Sequence, residues 1–126
     1  MGTMYHNMSE SLVEFGVQSG IHIARVTVSN LDTLRGAELT DQLKVLVPRI
    51  AAGPLILDLS AVRFMQTQGL RAALLLYKTV KAAGGRICIC VCDESVRRMF
   101  AVTKLDTIVE IHEDMDSAMR AMSADD

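Results

Sequence analysis

Two short apolar segments on either side of a helical pattern constrain the fold of this chain most strongly. They are Leu55–Ser60, which reads LILDLS, and Arg86–Cys92, which reads RICICVC. An apolar run of this length between turn-forming residues predicts a strand that is covered on both faces of a sheet. The segment between them repeats its apolar residues at helical spacing, at Leu70, Ala73, Leu74, Tyr77 and Val80. A strand, a helix and a strand in this order predict a crossover connection and therefore parallel pairing.

The rest of the chain supplies further elements of both kinds. Residues 12–18 and 21–28 alternate in hydropathy around Ser19-Gly20, which predicts an antiparallel hairpin. The other predicted elements are a helix from about Thr33 to Ala51 that ends at Gly53-Pro54, a third helix capped by Asp93, a short strand at Ile108–Ile111 and a fourth helix from about Asp114. We therefore predict an α/β fold with a mixed, mostly parallel sheet of about five strands and about four helices.

The length and composition predict a single domain. The chain has 126 residues and two prolines, half of its residues are apolar and 22% are charged. These values are typical of one soluble globular domain. We place the domain at residues 11–122, with a flexible N-terminal segment or expression remnant at 1–10 and a C-terminal tail at 123–126.

Composition argues against several classes of protein. Wholly apolar stretches extend over a few residues, far fewer than the roughly 20 that a membrane-spanning helix needs. The formal net charge of −2, the pI near 5.9 and the 4% of aromatic residues do not fit a nucleic-acid surface. We therefore expect no membrane insertion and no nucleic-acid partner. We also expect a cytoplasmic protein, because we find neither a secretion signal nor a disulfide framework.

The residues that most often carry catalysis or bind metal ions are poorly placed for either. The histidines are scattered, at His6, His22 and His112. Cys88, Cys90 and Cys92 alternate along one predicted strand at intervals of roughly 6.6 Å, too far apart for three thiolates to share one tetrahedral ion. We interpret these cysteines as buried core residues. We therefore expect no enzyme, no cofactor and no metal site.

The most informative segment is LDLSAVRFMQTQGLRAALLL, where a buried strand leads through a short loop into the second helix. It puts the hydroxyl of Thr67 at or beside the helix N-cap, among unpaired N–H groups and the positive end of the helix dipole. A phosphate there would be compatible with the fold and would still change the surface that a partner meets. The alternative is that Thr67 simply caps the helix, as threonine often does.

Most of the chain, from Val26 to about Ala118, resembles the STAS family, which includes bacterial anti-sigma-factor antagonists and domains of sulphate transporters. The resemblance lies in three segments together: VTVSNLDTLRGAEL, LILDLSAVRFMQTQGLRAALLLYKTVKAAGGRICIC and SVRRMFAVTKLDTIVEI. It implies a partner-switching protein. An unphosphorylated antagonist binds an anti-sigma factor that is itself a serine/threonine kinase of the histidine-kinase-like ATPase type, and so frees the sigma factor. Phosphorylation in the switch loop ends that binding, and a phosphatase restores it.

The resemblance also implies roles for individual residues. The family's usual loop reads Asp-Ser-Ser/Ala-Gly-Leu after an apolar residue, and its first Ser/Thr is the phosphoacceptor. The segment Met65-Gln66-Thr67-Gln68-Gly69-Leu70 aligns Thr67 with that acceptor, Gln66 with the usual Asp and Gln68 with a small residue. Asp32 and Asp58 align with acidic positions around the site. Gln66 stands where the family usually has an aspartate, so the carboxylate beside the acceptor is missing. A second interpretation of the function therefore stays open: the chain is a STAS subunit of a stressosome-like or lipid-transport ATPase complex, and its loop docks constitutively.

The second helix gives an independent indication of a partner surface. Leu75 lies with Arg71 and Lys78 on the side opposite the predicted core face, so that cations frame an apolar side chain. This pattern predicts a contact for an acidic partner, although single exposed leucines are also ordinary. A nucleotide-binding or hydrolytic protein is a third alternative. It is disfavoured because Gly84-Gly85 follows a helix and precedes a strand, the reverse of the order in a phosphate-binding loop.

Overall fold

The computed structural model describes the backbone of residues 11–50 and 53–123, and the side chains of residues 11–48 and 53–123. The strands are β1 (Val13–Gln18), β2 (Ile21–Val26), β3 (Asn30–Leu31), β4 (Pro54–Asp58), β5 (Phe64–Met65), β6 (Arg86–Cys90) and β7 (Ile111–His112). The helices are α1 (Thr33–Ile50), α2 (Thr67–Ala82), α3 (Glu94–Val102) and α4 (Met115–Ser123), with a 3-10 turn at Leu105–Thr107. The predicted N-terminal segment and residues 124–126 of the predicted tail lie outside the described residues. No described helix has the length and hydropathy that crossing a bilayer requires.

Five strands form the main sheet, in the order β1, β2, β4, β6, β7. β1 pairs antiparallel with β2, and the three later neighbour pairs are parallel. Ser19 and Gly20 close the hairpin with φ angles of 54° and 79°. Positive φ at both central residues is what a two-residue hairpin turn of type I′ requires. The mixed sheet and the four helices confirm the predicted fold class.

The helices cover the two faces of the sheet unequally. α1, α2 and α3 pack on one face through a large apolar cluster that includes Leu55 and Leu57 of β4. Ile56, between them, points to the other face, which α4 covers through Ala118 and Met122. Full burial of such a side chain stabilises the fold by roughly 1.5–3 kcal/mol. β4 is thus held from both faces, and the loop that follows it starts from a rigid strand.

The last strand differs from its prediction. It comprises Ile111–His112 instead of Ile108–Ile111. The preceding chain turns after Lys104, whose φ of 64° is left-handed, and the Val109 N–H donates to Leu105 O at 2.8 Å. This turn buries Val109 and leaves Ile108 55% exposed. The apolar residues before Ile111 therefore belong to a turn and not to a strand.

Two predictions about buried faces also need correction. On α2, Leu76 is buried although the prediction left it out, whereas Leu74 and Tyr77 are partly buried. The reason is that α2 packs against α1 as well as against the sheet, so its buried arc is rotated from the predicted one. On β6, Cys88 and Cys90 are buried as predicted, but Cys92 lies beyond the end of the strand and is exposed.

Candidate functional site at the start of α2

A second, two-stranded sheet holds the loop between β4 and α2 against the entry to α1. In it, β3 pairs parallel with β5. Ser29 O accepts hydrogen bonds from the N–H groups of Arg63 and Phe64 at 2.8 and 3.0 Å, and Leu31 O accepts one from the Gln66 N–H at 2.9 Å. The residues before α1 and the residues before α2 therefore lie side by side.

The side chain of Gln66 ties this loop to the first residue of α1. Its Oε1 accepts hydrogen bonds from the Thr33 N–H at 2.8 Å and from the Thr33 hydroxyl at 3.1 Å. One N–H that a helix start would leave unpaired is thereby satisfied. Gln66 itself occupies the N-cap position of α2, but its side chain makes no capping bond there. Gln66 thus supports the start of α1 and leaves the start of α2 open.

The first turns of α1 and α2 are in direct contact through glycine. A Cβ on Gly36 would lie 2.6 Å from Gly69 N and 2.7 Å from the carbonyl carbon of Gln68. These distances are shorter than a side-chain carbon can adopt beside a rigid backbone, so a glycine is needed at this point. The positive ends of two helix dipoles therefore meet beside the loop.

Aspartates cap the other three described helices. Before α1, Asp32 Oδ1 accepts from the Arg35 N–H at 2.9 Å. Before α3, Asp93 accepts from the N–H groups of Ser95 and Val96, and before α4, Asp114 accepts from the Ser117 N–H at 2.8 Å. The pKa of Asp93 is held below the ordinary carboxyl value, first by the Ser95 hydroxyl, and that of Asp114 first by the Ser117 N–H. The start of α2 has no such side chain.

Thr67 is the first residue of α2, and it is exposed. Its hydroxyl makes no hydrogen bond within residues 11–50 and 53–123. The alternative that Thr67 caps the helix is therefore wrong. The N–H groups of Thr67 and Gln68 also have no acceptor in the described part of the chain. A free hydroxyl thus lies at the uncapped, positive end of a helix.

The other predicted site residues of the loop and of α2 differ in exposure. Met65, Gly69 and Leu70 are buried and support the loop from inside. Arg71 is exposed, and Leu75 is 38% exposed. The exposed part of the predicted site is therefore a strip of α2 that begins at Thr67.

Asp58 has a structural position. Its side chain is 1% exposed, and its Oδ2 accepts a hydrogen bond from Arg25 Nε at 3.2 Å. Its Oδ1 accepts from the Ser60 N–H at 2.9 Å. Asp58 therefore joins β2 to β4 and fixes the turn that follows β4. It makes no hydrogen bond to Thr67. Asp32 lies closer to the site, since it immediately precedes Thr33, the partner of Gln66.

A groove between α1 and α2 begins beside the loop. It has a volume of about 490 Å³ and is lined by Gln68, by Leu75, by the acid Asp41 and by the cations Lys44, Arg71 and Lys78. A second cavity of about 260 Å³ adjoins it, shares Lys44 and Leu75, and is otherwise mainly apolar. The structure thus brings Arg71, Leu75 and Lys78 together, as the sequence indicated, and adds Lys44 from α1.

The two buried cysteines are poor nucleophiles. Burial raises the pKa of Cys88 to about 12, and burial together with the charge of Asp58 raises the pKa of Cys90. A thiol with such a pKa stays protonated near neutral pH. Because the thiolate is the form that acts as a nucleophile and as a metal ligand, neither role is favoured for these cysteines. No three His, Cys, Asp or Glu side chains of the described residues are grouped as metal ligands.

Besides Lys44, two residues that support the loop, Thr33 and Gly36, were missed in the sequence. Gly36 was recognisable in the sequence, because a glycine inside an amphipathic helix makes helix formation less favourable by about 1 kcal/mol than alanine does. Such a cost suggests that another backbone packs closely there. Thr33 left no comparable signal, since its partner Gln66 is 33 residues away and comes close through tertiary structure alone.

Comparison with known proteins places the chain in a family. The STAS domain family matches residues 13–118. The fold is similar to that of an anti-sigma-factor antagonist (STAS) domain protein from Planctomyces limnophilus, with a TM-score of 0.79 and 13% identity over 88% of this chain and 97% of that one. An anti-sigma factor antagonist from Mycobacterium paratuberculosis has a TM-score of 0.76 and 22% identity, over 88% and 92% of the two chains.

The Bacillus cell fate determinant SpoIIAA in its phosphorylated form is also similar, with a TM-score of 0.62 and 14% identity over 86% of this chain and 98% of that one. At these identities the structural likeness establishes the fold. The sequence match covers most of the chain, including the paired strands β3 and β5 and the start of α2. This protein therefore belongs to the STAS domain family.

Proposed function

We propose that this protein is an anti-sigma-factor antagonist that changes partners when Thr67 is phosphorylated. Unphosphorylated, it binds an anti-sigma factor that is itself a serine/threonine kinase, and the sigma factor is released. We base this on one observation: Thr67 offers an exposed, unbonded hydroxyl at the start of α2, the one described α-helix without a side-chain cap. The names of the structural relatives support the general role.

A phosphate on Thr67 would change the surface and leave the domain folded. It would add about −1.5 to −2 charges at neutral pH. The N–H groups of Thr67 and Gln68 could donate to its oxygens, and the positive end of the α2 dipole favours an anion. Because the Thr67 side chain is exposed, the core would not need to rearrange. A partner that docks on this surface would meet both new bulk and new charge.

The chain acts as a substrate in this scheme and not as an enzyme. Thr67 Oγ1 forms a bond to the γ-phosphorus of ATP as the bond from that phosphorus to the bridging oxygen breaks. ADP leaves, and the hydroxyl proton passes to a base of the kinase. A phosphatase would transfer the phosphoryl group to water and restore the hydroxyl. These partners would place the activity in the bacterial cytoplasm.

The partner would meet the exposed residues around Thr67. Gln66 lies on one side of it, and Arg71 and Leu75 lie on the other. Three cations line the groove against one acid, so the complementary surface carries acidic side chains beside an apolar residue that packs on Leu75. Met65, Gly69 and Leu70 would position the loop from the core, without touching the partner.

A pull-down from extract of the native cell tests the proposal. The baits are the wild type, Thr67→Ala and a chain with phosphothreonine at position 67. We expect the first two to capture an anti-sigma kinase, identified by mass spectrometry, and the third to release it. The affinity should fall on the order of 100-fold, or about 2.7 kcal/mol. A chain with phosphothreonine at position 107 is the matched control, because Thr107 is also exposed but lies in the turn before β7; it should capture the kinase normally.

The second candidate is a STAS subunit of a larger assembly whose loop docks constitutively. The bonds of Gln66 favour it, because this side chain is occupied with Thr33 and offers no carboxylate at the start of α2. The same experiment separates the two candidates. Equal capture of one complex by the unmodified and phosphorylated baits would support the constitutive subunit and overturn the switch.

A further inference from the structure

Thr67, Arg71 and Leu75 form one line along the exposed side of α2. They are four residues apart, starting at the first residue of the helix. Residues at this spacing are neighbours on a helix surface, with Cβ atoms roughly 5–6 Å apart. All three are exposed. The guanidinium of Arg71 is therefore within reach of a group on Thr67 in one direction and of the surface around Leu75 in the other.

Arg71 is available to a new partner. It makes no hydrogen bond or ion pair with any residue of 11–50 and 53–123. Together with Lys44 and Lys78 it lines the groove, where Asp41 is the one acidic lining residue of the described chain. With three cations and one anion, the residues that line the groove carry a formal net charge of +2. This charge would fall to +1 if Arg71 turned away from the groove.

We propose that Arg71 couples phosphorylation of Thr67 to the charge of the groove. In the unmodified chain, Arg71 is one of three cations that receive an acidic segment of the partner. When Thr67 carries a phosphate, the guanidinium pairs with it one helical turn away, a planar fork being well suited to phosphate oxygens. The phosphate then blocks the loop and also withdraws a cation from the groove. The coupling rests on the proposed function in one respect, that Thr67 is phosphorylated in the cell.

The test uses the full chain with phosphothreonine inserted at position 67 during translation, and ³¹P NMR follows the second ionisation of the phosphate. That pKa is ordinarily near 6. A neighbouring cation favours the dianion, so we expect Arg71→Gln to raise the phosphate pKa by about half a unit relative to the wild type. Arg71→Lys, which keeps a charge, should restore part of the difference. Identical phosphate titration in the wild type and Arg71→Gln would overturn the coupling.

Lys78→Gln is the matched control. It removes the same charge from the same helix, but Lys78 lies eleven residues from Thr67, about three helical turns away, so the phosphate should titrate as in the wild type. A second measurement follows the Arg71 Nε–H signal in ¹⁵N spectra. It should shift on phosphorylation, and an unchanged signal would also count against the coupling.

The failure of this coupling and the failure of the proposed function are distinguishable, because inserting phosphothreonine requires no kinase. If the phosphate pKa depends on Arg71 and no kinase is captured by the unmodified chain, the proposed function is wrong and the ion pair stands. If a kinase is captured and released on phosphorylation while the pKa is independent of Arg71, the switch stands and the coupling is wrong.

Discussion

Gln66 joins two segments of the chain with one side-chain oxygen. Because it accepts both the N–H and the hydroxyl of Thr33, replacing it removes two hydrogen bonds at the entry to α1. We expect Gln66→Ala to lower the free energy of unfolding by about 1 kcal/mol, since the freed groups are exposed and can turn to water. Urea denaturation followed by circular dichroism measures this. The control is Gln18→Ala, an exposed glutamine without such bonds, and equal losses in the two variants would contradict the role of Gln66.

Gly36 is the residue at which the two helix starts touch. A methyl group there would lie 2.6 Å from Gly69 N, so the helices must separate or shift to admit it. We expect Gly36→Ala to destabilise the protein by about 1–3 kcal/mol, the usual range for overpacking, in spite of the better helix propensity of alanine.

Gly16→Ala provides the comparison for Gly36. A Cβ at Gly16 meets no atom within 4 Å, so this variant should be as stable as the wild type within about 0.5 kcal/mol. Both variants are measured by the same urea titration. If Gly36→Ala were as stable as Gly16→Ala, the close packing of α1 on α2 would be wrong.

At the scale of whole elements, α3 and α4 depend on charged caps. The pKa of Asp93 is lowered in the folded state, so its carboxylate stabilises α3 above the ordinary carboxyl pKa of about 3.9. That contribution is lost as the pH falls through the lowered folded pKa. Asp93→Asn keeps a capping oxygen but no charge. We therefore expect the stability difference between wild type and variant to be largest at neutral pH and to shrink below about pH 4.

Melting temperatures between pH 7 and pH 2.5 check this prediction. Asp106→Asn is the control, because Asp106 is exposed and accepts no hydrogen bond from the described residues. A difference for Asp93→Asn that persists unchanged to pH 2.5 would show that its charge is not what stabilises the cap.

The elements also show which parts of the fold a sequence can predict. α1 and α2 are long enough for a helical period to be visible, and β4 and β6 stand out as unbroken apolar runs, so the existence and order of all four were predicted correctly. β3, β5 and β7 have two residues each, too few to show a period, and they exist because neighbouring backbone groups pair with them. Since β3 and β5 hold the loop between β4 and α2, the anchoring of this loop was not predictable.

The candidate site was predictable to a similar extent. The position of Thr67 at the start of α2 followed from local helix rules, whereas its role as phosphoacceptor stays a prediction that rests on the family resemblance. Lys44 was not predictable as a member of the groove, because it lies on α1 and comes close to Arg71 through the packing of two helices. What local periodicity and capping encode could be inferred, and contacts between distant elements could not.

At the scale of the whole molecule, the cysteines report on global unfolding. Cys92 is exposed, while Cys88 and Cys90 lie in the core with raised pKa values. We expect one thiol per chain to react with a thiol reagent at pH 8 in the native state, and three after unfolding. In Cys92→Ser, the remaining thiols should become reactive in urea together with the loss of circular dichroism. Rapid labelling of all three in buffer would contradict the burial of β6.

The unequal covering of the sheet bears on how the protein can be attached to other molecules. Among the described residues, α4 covers the face opposite α1 and α2, and it ends at Ser123. A dye, an affinity handle or a sensor chip joined to the exposed end of α4, at Ser123, would therefore leave Thr67 and the groove open to a binding protein. The edge strand β1 instead begins beside α1, where the Leu12 N–H donates to Gln42 Oε1 at 2.8 Å, so a bulky group attached there would crowd α1.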